Sequence, residues 1–349
     1  MKKETHILDG YVTMPPPLKE KPPINKSLIT AERRFKTLQR KLQKDPNLSK
    51  QYHEFMSNLI QNGEAEIIPE EEDNKQDAWY IPHFEVWHPK KPGKIRVVFD
   101  GSATTDGKSI NDYLMRGPDF MNSLTGILLR FRQNQVAITC DIESMFHQFR
   151  VANTDQDYLR FLWFNDQGST ALHQMKVHLF GAKSSPACAT YGLRYIAHQL
   201  SKEDQISKNA VEFITDNFYV DDGILSVADP TTAMQVLSKA IEICHGGNVR
   251  LHKVLSNSRE VVEAFPKAEQ ISSLQKLDLN TEALPTERTL GMLWNSEQDC
   301  FQYEVNMIEK PNTRRVILSN VASIFDPLGL VSPVILHGKS ILQEMQTKA

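Results

Sequence analysis

The chain has 349 residues, of which 40% are hydrophobic and 24% are charged, and its formal net charge is −3. This length allows a substantial core, in one multi-lobed unit or roughly two to three domains, and the composition is that of an ordinary soluble globular protein. No apolar run approaches the roughly eighteen residues of a membrane span, and the N-terminus lacks the apolar core of a secretory signal. The four cysteines are far apart, which argues against a zinc site of close cysteine pairs and suits a reducing compartment.

The N-terminal part of the chain predicts an unstructured start and then regular elements. Prolines at 15–17 and 22–23 indicate an extended, mobile lead-in over residues 1–28. Helical and strand periodicities place the next elements in this order: amphipathic helices over 31–44 and 49–62, separated by Asp45-Pro46, and strands at His83–His88 and Ile95–Phe99. The turn at Pro92-Gly93 between these strands puts several lysines on a mobile hairpin.

The rest of the chain alternates between strands and helices. The predicted elements are strands within 158–164 and 171–180, helices at Ser185–Lys202 and Pro230–Cys244, a hairpin over 289–305 and a last helix near 337–346. Asp229 is the expected N-cap of the helix that begins at Pro230. Strands and helices mixed in this way predict an α+β fold.

The low net charge hides an uneven distribution. From Leu18 to Lys50 there are ten Lys or Arg residues against three Asp or Glu residues. From Glu54 to Asp77 there are eight acids against Lys75 alone. A protein that binds nucleic acid needs cations at its surface, and the first of these segments supplies them, although a solvated charged helix is the ordinary explanation of such a run.

Two adjacent aspartates, Asp221 and Asp222, stand out within an apolar segment. The run from Phe218 to Leu225 has the aromatic and β-branched composition of a strand hairpin, with Asp222-Gly223 as its predicted turn. Paired carboxylates on a buried hairpin are costly unless a positive charge neutralises them, and a divalent metal ion is the usual solution. The alternative is an ordinary polar turn.

A third aspartate, Asp141, follows the apolar segment Val136–Cys140. An aspartate at the end of a buried strand is a poor core residue and a good ligand for a hard metal ion. If the two segments bring their aspartates to one point, they could hold two Mg²⁺ ions about 3.5–4 Å apart, as phosphoryl or nucleotidyl transfer requires. The alternative for Asp141 is a cap on the following helix.

The motifs resemble those of a reverse transcriptase, in the order that this family has them, and are most similar to the BEL/Pao group of LTR retrotransposons. The resemblance runs from about Pro69 to the C-terminus and rests on these segments: Val86–Asp100, Asp141–Phe146, Phe180–Pro186, Tyr219–Asp222, Gly246–Lys253, Leu290–Trp294 and Ile324–Pro333. It implies a right-hand polymerase with interleaved fingers and palm over 65–300. Residues 1–64 would then form a helical extension, and residues 301–349 the start of a thumb or connection.

The resemblance also implies roles for single residues. Asp141, Asp221 and Asp222 would be catalytic and would hold two Mg²⁺ ions, or Mn²⁺, together with the backbone carbonyl of Ile142. The nucleotide-binding residues would be Lys94, Arg96, Phe146, Phe180 and Gly181, with Phe146 as an aromatic gate against ribonucleotides. Leu290, Gly291, Met292, Leu293 and Trp294 would grip the primer, and Lys253 would be a candidate general acid. The implied partners are deoxynucleoside triphosphates and an RNA or DNA template with its primer, without a membrane; the implied location is the cytoplasm or a virus-like particle.

Each assignment has an alternative. Lys94 and Arg96 also fit surface charges, Phe146 a core aromatic and Lys253 an exposed lysine. A catalytically inactive, retrotransposon-derived relic could keep the fold and bind nucleic acid or protein, whereas a two-metal nuclease fits the acids but not the fingers and primer-grip motifs. The chain departs from retroviral enzymes at Phe180, where they have glutamine, and at Ser144, where they often have an acid. The sequence has no aspartic protease motif, and we expect no ribonuclease H domain within it.

Overall fold

The computed structural model describes residues 4–22, 27–69, 78–87, 92–279, 281–305 and 313–347. The chain divides into two compact units, each made of three segments. Unit one comprises Met1–Phe120, Ser144–Ile196 and Gly246–Val249. Unit two comprises Met121–Glu143, Ala197–His245 and Arg250–Ala349.

Helices and strands alternate along the described residues. The helices are α1 (Ser27–Lys44), α2 (Pro46–Gln61), α3 (Ile110–Tyr113), α4 (Leu124–Phe131), α5 (Ser185–Leu200), α6 (Gln205–Asp216), α7 (Pro230–Gly246), α8 (Arg259–Ala264), α9 (Arg314–Ala322) and α10 (Ser332–Thr347). The strands are β1 (His6–Leu8), β2 (Tyr11–Met14), β3 (Ala65–Ile67), β4 (His83–Trp87), β5 (Ile95–Phe99), β6 (Val136–Ile142), β7 (Arg150–Val151), β8 (Arg160–Phe164), β9 (Thr170–Met175), β10 (Phe218–Tyr219), β11 (Asp222–Val227), β12 (Leu251–Ser256), β13 (Thr286–Thr289), β14 (Met292–Asn295) and β15 (Cys300–Gln302). Among them, no helix is both long enough and apolar enough to cross a membrane.

Unit one has its core between helices α1 and α2 and the small sheets of strand order β3-β9-β8 and β4-β5. Helix α1 buries Ala31, Phe35, Leu38 and Leu42, which recur at helical spacing and so form one apolar face. The predicted break between the two helices is confirmed, because the Asp45 carboxylate accepts a hydrogen bond from the Leu48 amide and caps α2.

The prediction of a mobile lead-in is wrong for residues 6–14. Strands β1 and β2 form an antiparallel hairpin, and β2 then pairs in parallel with β7. Val12 and Met14 of β2 are fully buried. The prolines at 15–17 predict an extended segment, whereas burial of the two apolar side chains of β2 holds the hairpin within unit one.

Unit two is centred on a four-stranded sheet with the strand order β10-β11-β6-β12, antiparallel between all neighbours. Its interior side chains pack with α4 and α8 and with a second sheet of order β13-β14-β15. The cluster is built from Ile127, Leu128, Phe131, Ala137, Ile224, Leu255, Val262, Leu274, Leu284, Leu290, Met292 and Trp294. This mixture of helices and antiparallel sheets confirms the predicted α+β class, while the division into fingers, palm and thumb stays a prediction.

Candidate active site

The central sheet of unit two brings two of the three aspartates opposite each other. Asp141 on β6 and Asp222 on β11 are direct cross-strand partners. The third aspartate is tied to the same place through its backbone, because the amide of Ile142 donates to the carbonyl of Asp221 at 2.9 Å. The predicted meeting of Asp141 with the aspartate pair is therefore present in the fold.

The hairpin that carries the aspartate pair turns one residue earlier than predicted. Tyr219 pairs with Asp222, so the turn is Val220-Asp221, and Gly223 lies within β11. A Cβ on Gly223 would lie 2.4 Å from the ring of Phe218, so this position needs glycine because a ring packs on it. Val220 has a φ of 58°, which is a genuine strain for a β-branched residue.

Asn122 fixes the start of this hairpin. Its side-chain amide donates to the carbonyl of Thr215, near the end of α6, at 3.0 Å and to that of Phe218, in β10, at 2.9 Å. These bonds hold the entry to β10 against the preceding helix, and the turn is positioned from there. The sequence analysis missed Asn122, because nothing local in the sequence marks a contact with residues more than ninety positions away.

Both carboxylate oxygens of Asp141 accept hydrogen bonds from neighbouring residues of β12. His252 Nε2 lies 2.9 Å from Oδ1 and Lys253 Nζ lies 3.0 Å from Oδ2. Adjacent side chains of a regular strand point to opposite faces, but β12 has a bulge between His252 and Leu255, and Lys253 has a φ of 55°. The bulge therefore turns two neighbouring donors toward one carboxylate. His252 had no role in the sequence analysis, since only the strand register shows that it pairs with Asp141.

The three aspartates form a negatively charged site, and their surroundings shift the pKa values of Asp141 and Asp222 in opposite directions. Burial raises the pKa of Asp222 to about 7, and the negative charges of Asp221 and Asp141 contribute to the rise. Burial also acts to raise the pKa of Asp141, but the hydrogen bonds from His252 and Lys253 outweigh it and lower this pKa below its ordinary value. Repulsion between the carboxylates therefore contributes to a raised pKa at Asp222 but not at Asp141, and a bound cation would relieve this repulsion.

The chemistry of these donors fits Mg²⁺, although their present arrangement is not a metal site. Among the residues that the structure describes, no three His, Cys, Asp or Glu side chains are grouped as a site for a metal ion. Carboxylate oxygens are the ligands that Mg²⁺ prefers, and their mutual repulsion favours a divalent cation. The hydrogen bonds from His252 and Lys253 leave a lone pair on each oxygen of Asp141, so a metal ion would share this carboxylate with the two donors or displace one of them. The carbonyl of Ile142 as a further ligand stays a prediction.

The segment predicted to grip the primer lies mostly in the core of unit two. Leu290, Met292 and Trp294 are buried, and the indole of Trp294 packs edge-on against Phe131 with ring centroids 4.9 Å apart. Gly291 and Leu293 are half-buried. The three buried side chains are committed to packing, so the predicted contact with a primer would involve only Gly291, Leu293 and the backbone of this segment. That contact stays a prediction.

The predicted nucleotide-binding residues all belong to unit one. The rings of Phe146 and Phe180 lie 5.4 Å apart, Phe146 half-buried and Phe180 largely exposed. Gly181 has a φ of 115°, and a Cβ there would lie 2.3 Å from the carbonyl oxygen of Phe99, so a close backbone approach requires this glycine. Packing thus accounts for Gly181 without a nucleotide.

Lys94 and Arg96 are exposed on the hairpin of β4 and β5. The side-chain amide of Gln51 on α2 donates to the carbonyl of Gly93 at 2.8 Å and accepts from the amide of Ile95 at 3.2 Å. Gln51 thereby holds the backbone on both sides of Lys94, a constraint that the sequence analysis missed. Residues 88–91, with two further lysines of the predicted motif, lie outside the described residues.

Comparisons with known proteins connect both the sequence and the fold to retroelements. Residues 313–349 match the family model of the Pao retrotransposon-like RNaseH-like domain. The sequence predicts the start of a thumb or connection over residues 301–349 and no ribonuclease H domain. The family match corrects the expectation about ribonuclease H for the short segment 313–349. No curated protein matches the chain.

The fold is similar to that of solved foamy viral protease–reverse transcriptases. One complex with dsDNA has a TM-score of 0.52 at 14% identity, over 99% of this chain and 58% of that chain. The complex with an RNA/DNA hybrid has a TM-score of 0.51 at 15% identity, over 98% and 36%. A further complex with double-stranded DNA, of the form labelled dRH, has a TM-score of 0.50 at 16% identity, over 83% and 42%. This chain spans less than two thirds of each, and at these identities the likeness establishes the fold.

Proposed function

We propose that the chain is the RNA-directed DNA polymerase part of a retroelement Pol polyprotein, which extends a primer on an RNA or DNA template. One observation carries the proposal: the strand register places Asp141 opposite Asp222, with Asp221 in the turn beside them. A carboxylate cluster of this kind is expensive in a protein that has no cation to bind. The fold shared with foamy viral protease–reverse transcriptases supports the same conclusion.

Asp141, Asp221 and Asp222 would hold the metal ions, and the sheet would keep them in place. The backbone bond between Ile142 and Asp221 joins the turn to β6, so the three carboxylates are presented by one rigid element. When bound, two Mg²⁺ ions supply the charge that activates a primer 3′-hydroxyl and stabilises a departing pyrophosphate. Lys253 lies beside Asp141 and would be available to donate a proton near that site.

The proposed contacts to the incoming nucleotide come from Lys94, Arg96 and Phe146. Lys94 and Arg96 are exposed cations that suit a triphosphate, and Gln51 limits the freedom of the backbone around Lys94. The ring of Phe146, backed by that of Phe180, would exclude a ribose 2′-hydroxyl by contact. Deoxynucleoside triphosphates are therefore the proposed substrates.

Primer extension by the purified chain tests the proposal directly. An RNA template with an annealed DNA primer, deoxynucleoside triphosphates and Mg²⁺ should give extended primer, and Asp141→Asn should abolish the product. Asp216→Asn is the matched control, because Asp216 is an exposed carboxylate of the same unit outside the cluster. Absence of extension by the unsubstituted chain with either Mg²⁺ or Mn²⁺, or equal activity of the two variants, would contradict the assignment.

The second candidate is a relic that binds nucleic acid without catalysis. The observation in its favour is that His252 and Lys253 already occupy both oxygens of Asp141. If added Mg²⁺ does not bind at Asp141 while these bonds persist, the relic is favoured over the metal-dependent enzyme. Tight binding of template–primer without any extension would select this candidate over the polymerase.

A further inference from the structure

Helix α1 of unit one has two chemically opposite faces. Its apolar face packs into the core of unit one through Phe35, Leu38 and Leu42. The opposite face carries four exposed cations at helical spacing, which we name the basic stripe: Arg33, Lys36, Arg40 and Lys44. At 1.5 Å per residue the stripe extends over about 16 Å along the helix.

The cations of the basic stripe differ from the neighbouring Lys41 in how they are paired. Among the described residues, none of its four side chains has an acidic partner, whereas Lys41, one position from Arg40, pairs with Glu85 at 2.7 Å. Lys36, Arg40 and Lys44 follow each other at intervals of four, which places like charges next to one another and opposes helix formation. A row of unpaired, mutually repelling cations on a well-packed helix suits an external polyanion.

We propose that the basic stripe binds the phosphate backbone of a nucleic-acid strand, and, resting on the proposed function, that this strand belongs to the template–primer. Phosphates of one duplex strand rise by about 3.4 Å each along the helix axis, so a stripe of about 16 Å is long enough to meet several of them. The stripe reads no bases, because it offers only flexible cations. An anionic membrane is a weaker partner, because α1 has no apolar face left to insert.

The salt dependence of binding tests the proposal. The variant Arg33→Gln, Lys36→Gln, Arg40→Gln, Lys44→Gln keeps strong helix formers and removes four charges. The matched control changes four exposed lysines of unit two in the same way: Lys202→Gln, Lys208→Gln, Lys267→Gln and Lys276→Gln. Affinity for a fluorescent template–primer is measured by anisotropy at several salt concentrations, and circular dichroism checks that both variants fold.

We expect the slope of log K against log[salt] to become shallower by about 3 in the stripe variant and to change by less than about 1 in the control, since each lost phosphate contact removes about 0.7–0.9. Equal changes in the two variants would overturn the proposal, as would a loss of binding to phosphatidylserine vesicles that exceeds the loss for nucleic acid. A chain that binds with a steep slope but extends no primer would refute the polymerase and leave the stripe standing. If the chain extends primers but the slope is unchanged in the stripe variant, the polymerase proposal stands and the proposal that the basic stripe binds phosphates is refuted.

Discussion

Two hairpins of unit two have two-residue turns that begin alike, and their strands carry different kinds of side chain. Strands β10 and β11 are joined by the two-residue turn Val220-Asp221, and β13 and β14 by Leu290-Gly291. In both, the first turn residue is a bulky side chain in the left-handed region, with φ of 58° and 48°. After the turn Val220-Asp221, β11 begins with the half-buried Asp222, which lies opposite Asp141. After the turn Leu290-Gly291, β14 places the buried side chains of Met292 and Trp294 in the core.

The two turns show that a sequence motif predicts the position of a segment, whereas the burial and charge of its side chains determine what the segment can do. At Leu290-Gly291 both φ values are positive, as a two-residue hairpin favours, and a Cβ on Gly291 would lie 2.7 Å from the ring of Phe325. At Val220-Asp221 only the valine is positive, in a position that favours glycine. Packing accounts for the turn Leu290-Gly291, whereas the turn Val220-Asp221 keeps a strained residue beside a charged cluster, a combination typical of functional sites.

The largest expected effect separates the hairpins by activity. Asp221→Asn should lower primer extension by at least about a thousandfold, about 4 kcal/mol in activation free energy, because a ligand loses its charge at nearly constant shape. The free energy of unfolding in urea should change by less than about 1 kcal/mol. Extension within about tenfold of the unsubstituted chain would show that Asp221 is not a ligand.

The second prediction separates them by stability. Trp294→Ala should lower the free energy of unfolding by about 3–5 kcal/mol, because it empties a fully buried site beside Phe131. Leu293→Ala, the adjacent half-buried position, should cost about 1 kcal/mol or less and should raise the KM for primer if this side chain contacts it. A Trp294→Ala variant that is stable but binds primer poorly would contradict the assignment of this side chain to the core.

Sequence predicted more of the carboxylate site than of its surroundings. The apolar strand pattern before Asp141 and the apolar residues on both sides of Asp221-Asp222 predicted where these aspartates lie, because a strand pattern and a charge break are local signals. The contacts of His252 and Asn122 depend on strand register and on distant residues, which no local pattern reveals. The Asp222-Gly223 turn was wrong because the ring of Phe218, and not a turn, requires the glycine.

The alternation of Leu290, Met292 and Trp294 was, by contrast, a usable signal of burial. Apolar residues at every second position predict one buried face. Met292 and Trp294 form this face in β14, and Leu290 is buried in the turn before that strand. The family resemblance implies that all five residues grip the primer, which stays a prediction. The alternation alone separates the three buried side chains from the half-buried Gly291 and Leu293.

A third prediction uses metal binding to distinguish the hairpins without activity. Millimolar Mg²⁺ should slow amide hydrogen exchange at 141–143 and 219–222, because a cation relieves the carboxylate repulsion, which adds to burial in raising the pKa of Asp222 to about 7. Exchange in β13 and β14 should not change. The double variant Asp141→Asn, Asp222→Asn is the control and should show no response, and equal slowing in both hairpins would indicate a nonspecific salt effect.

The smallest effect is the sharpest test of the comparison, because it predicts opposite signs for the same substitution. Val220→Gly removes a left-handed strain of about 1–2 kcal/mol and adds about 0.5–1 kcal/mol of backbone entropy, so the free energy of unfolding should rise by up to about 1 kcal/mol. Leu290→Gly relieves similar strain but removes a side chain that is only 8% accessible. Burial of that side chain is worth about 2–3 kcal/mol, so the free energy of unfolding should fall.

Activity should then move against stability at the first turn. A glycine at 220 frees the backbone that presents Asp221 and Asp222, so Val220→Gly should extend primers more slowly although it unfolds less readily. Chemical denaturation and single-turnover extension measure the two quantities on the same protein. If both substitutions destabilise the chain, Val220 is held by packing as Leu290 is, and the contrast between a strained turn at the aspartate cluster and a packed turn in the core is lost.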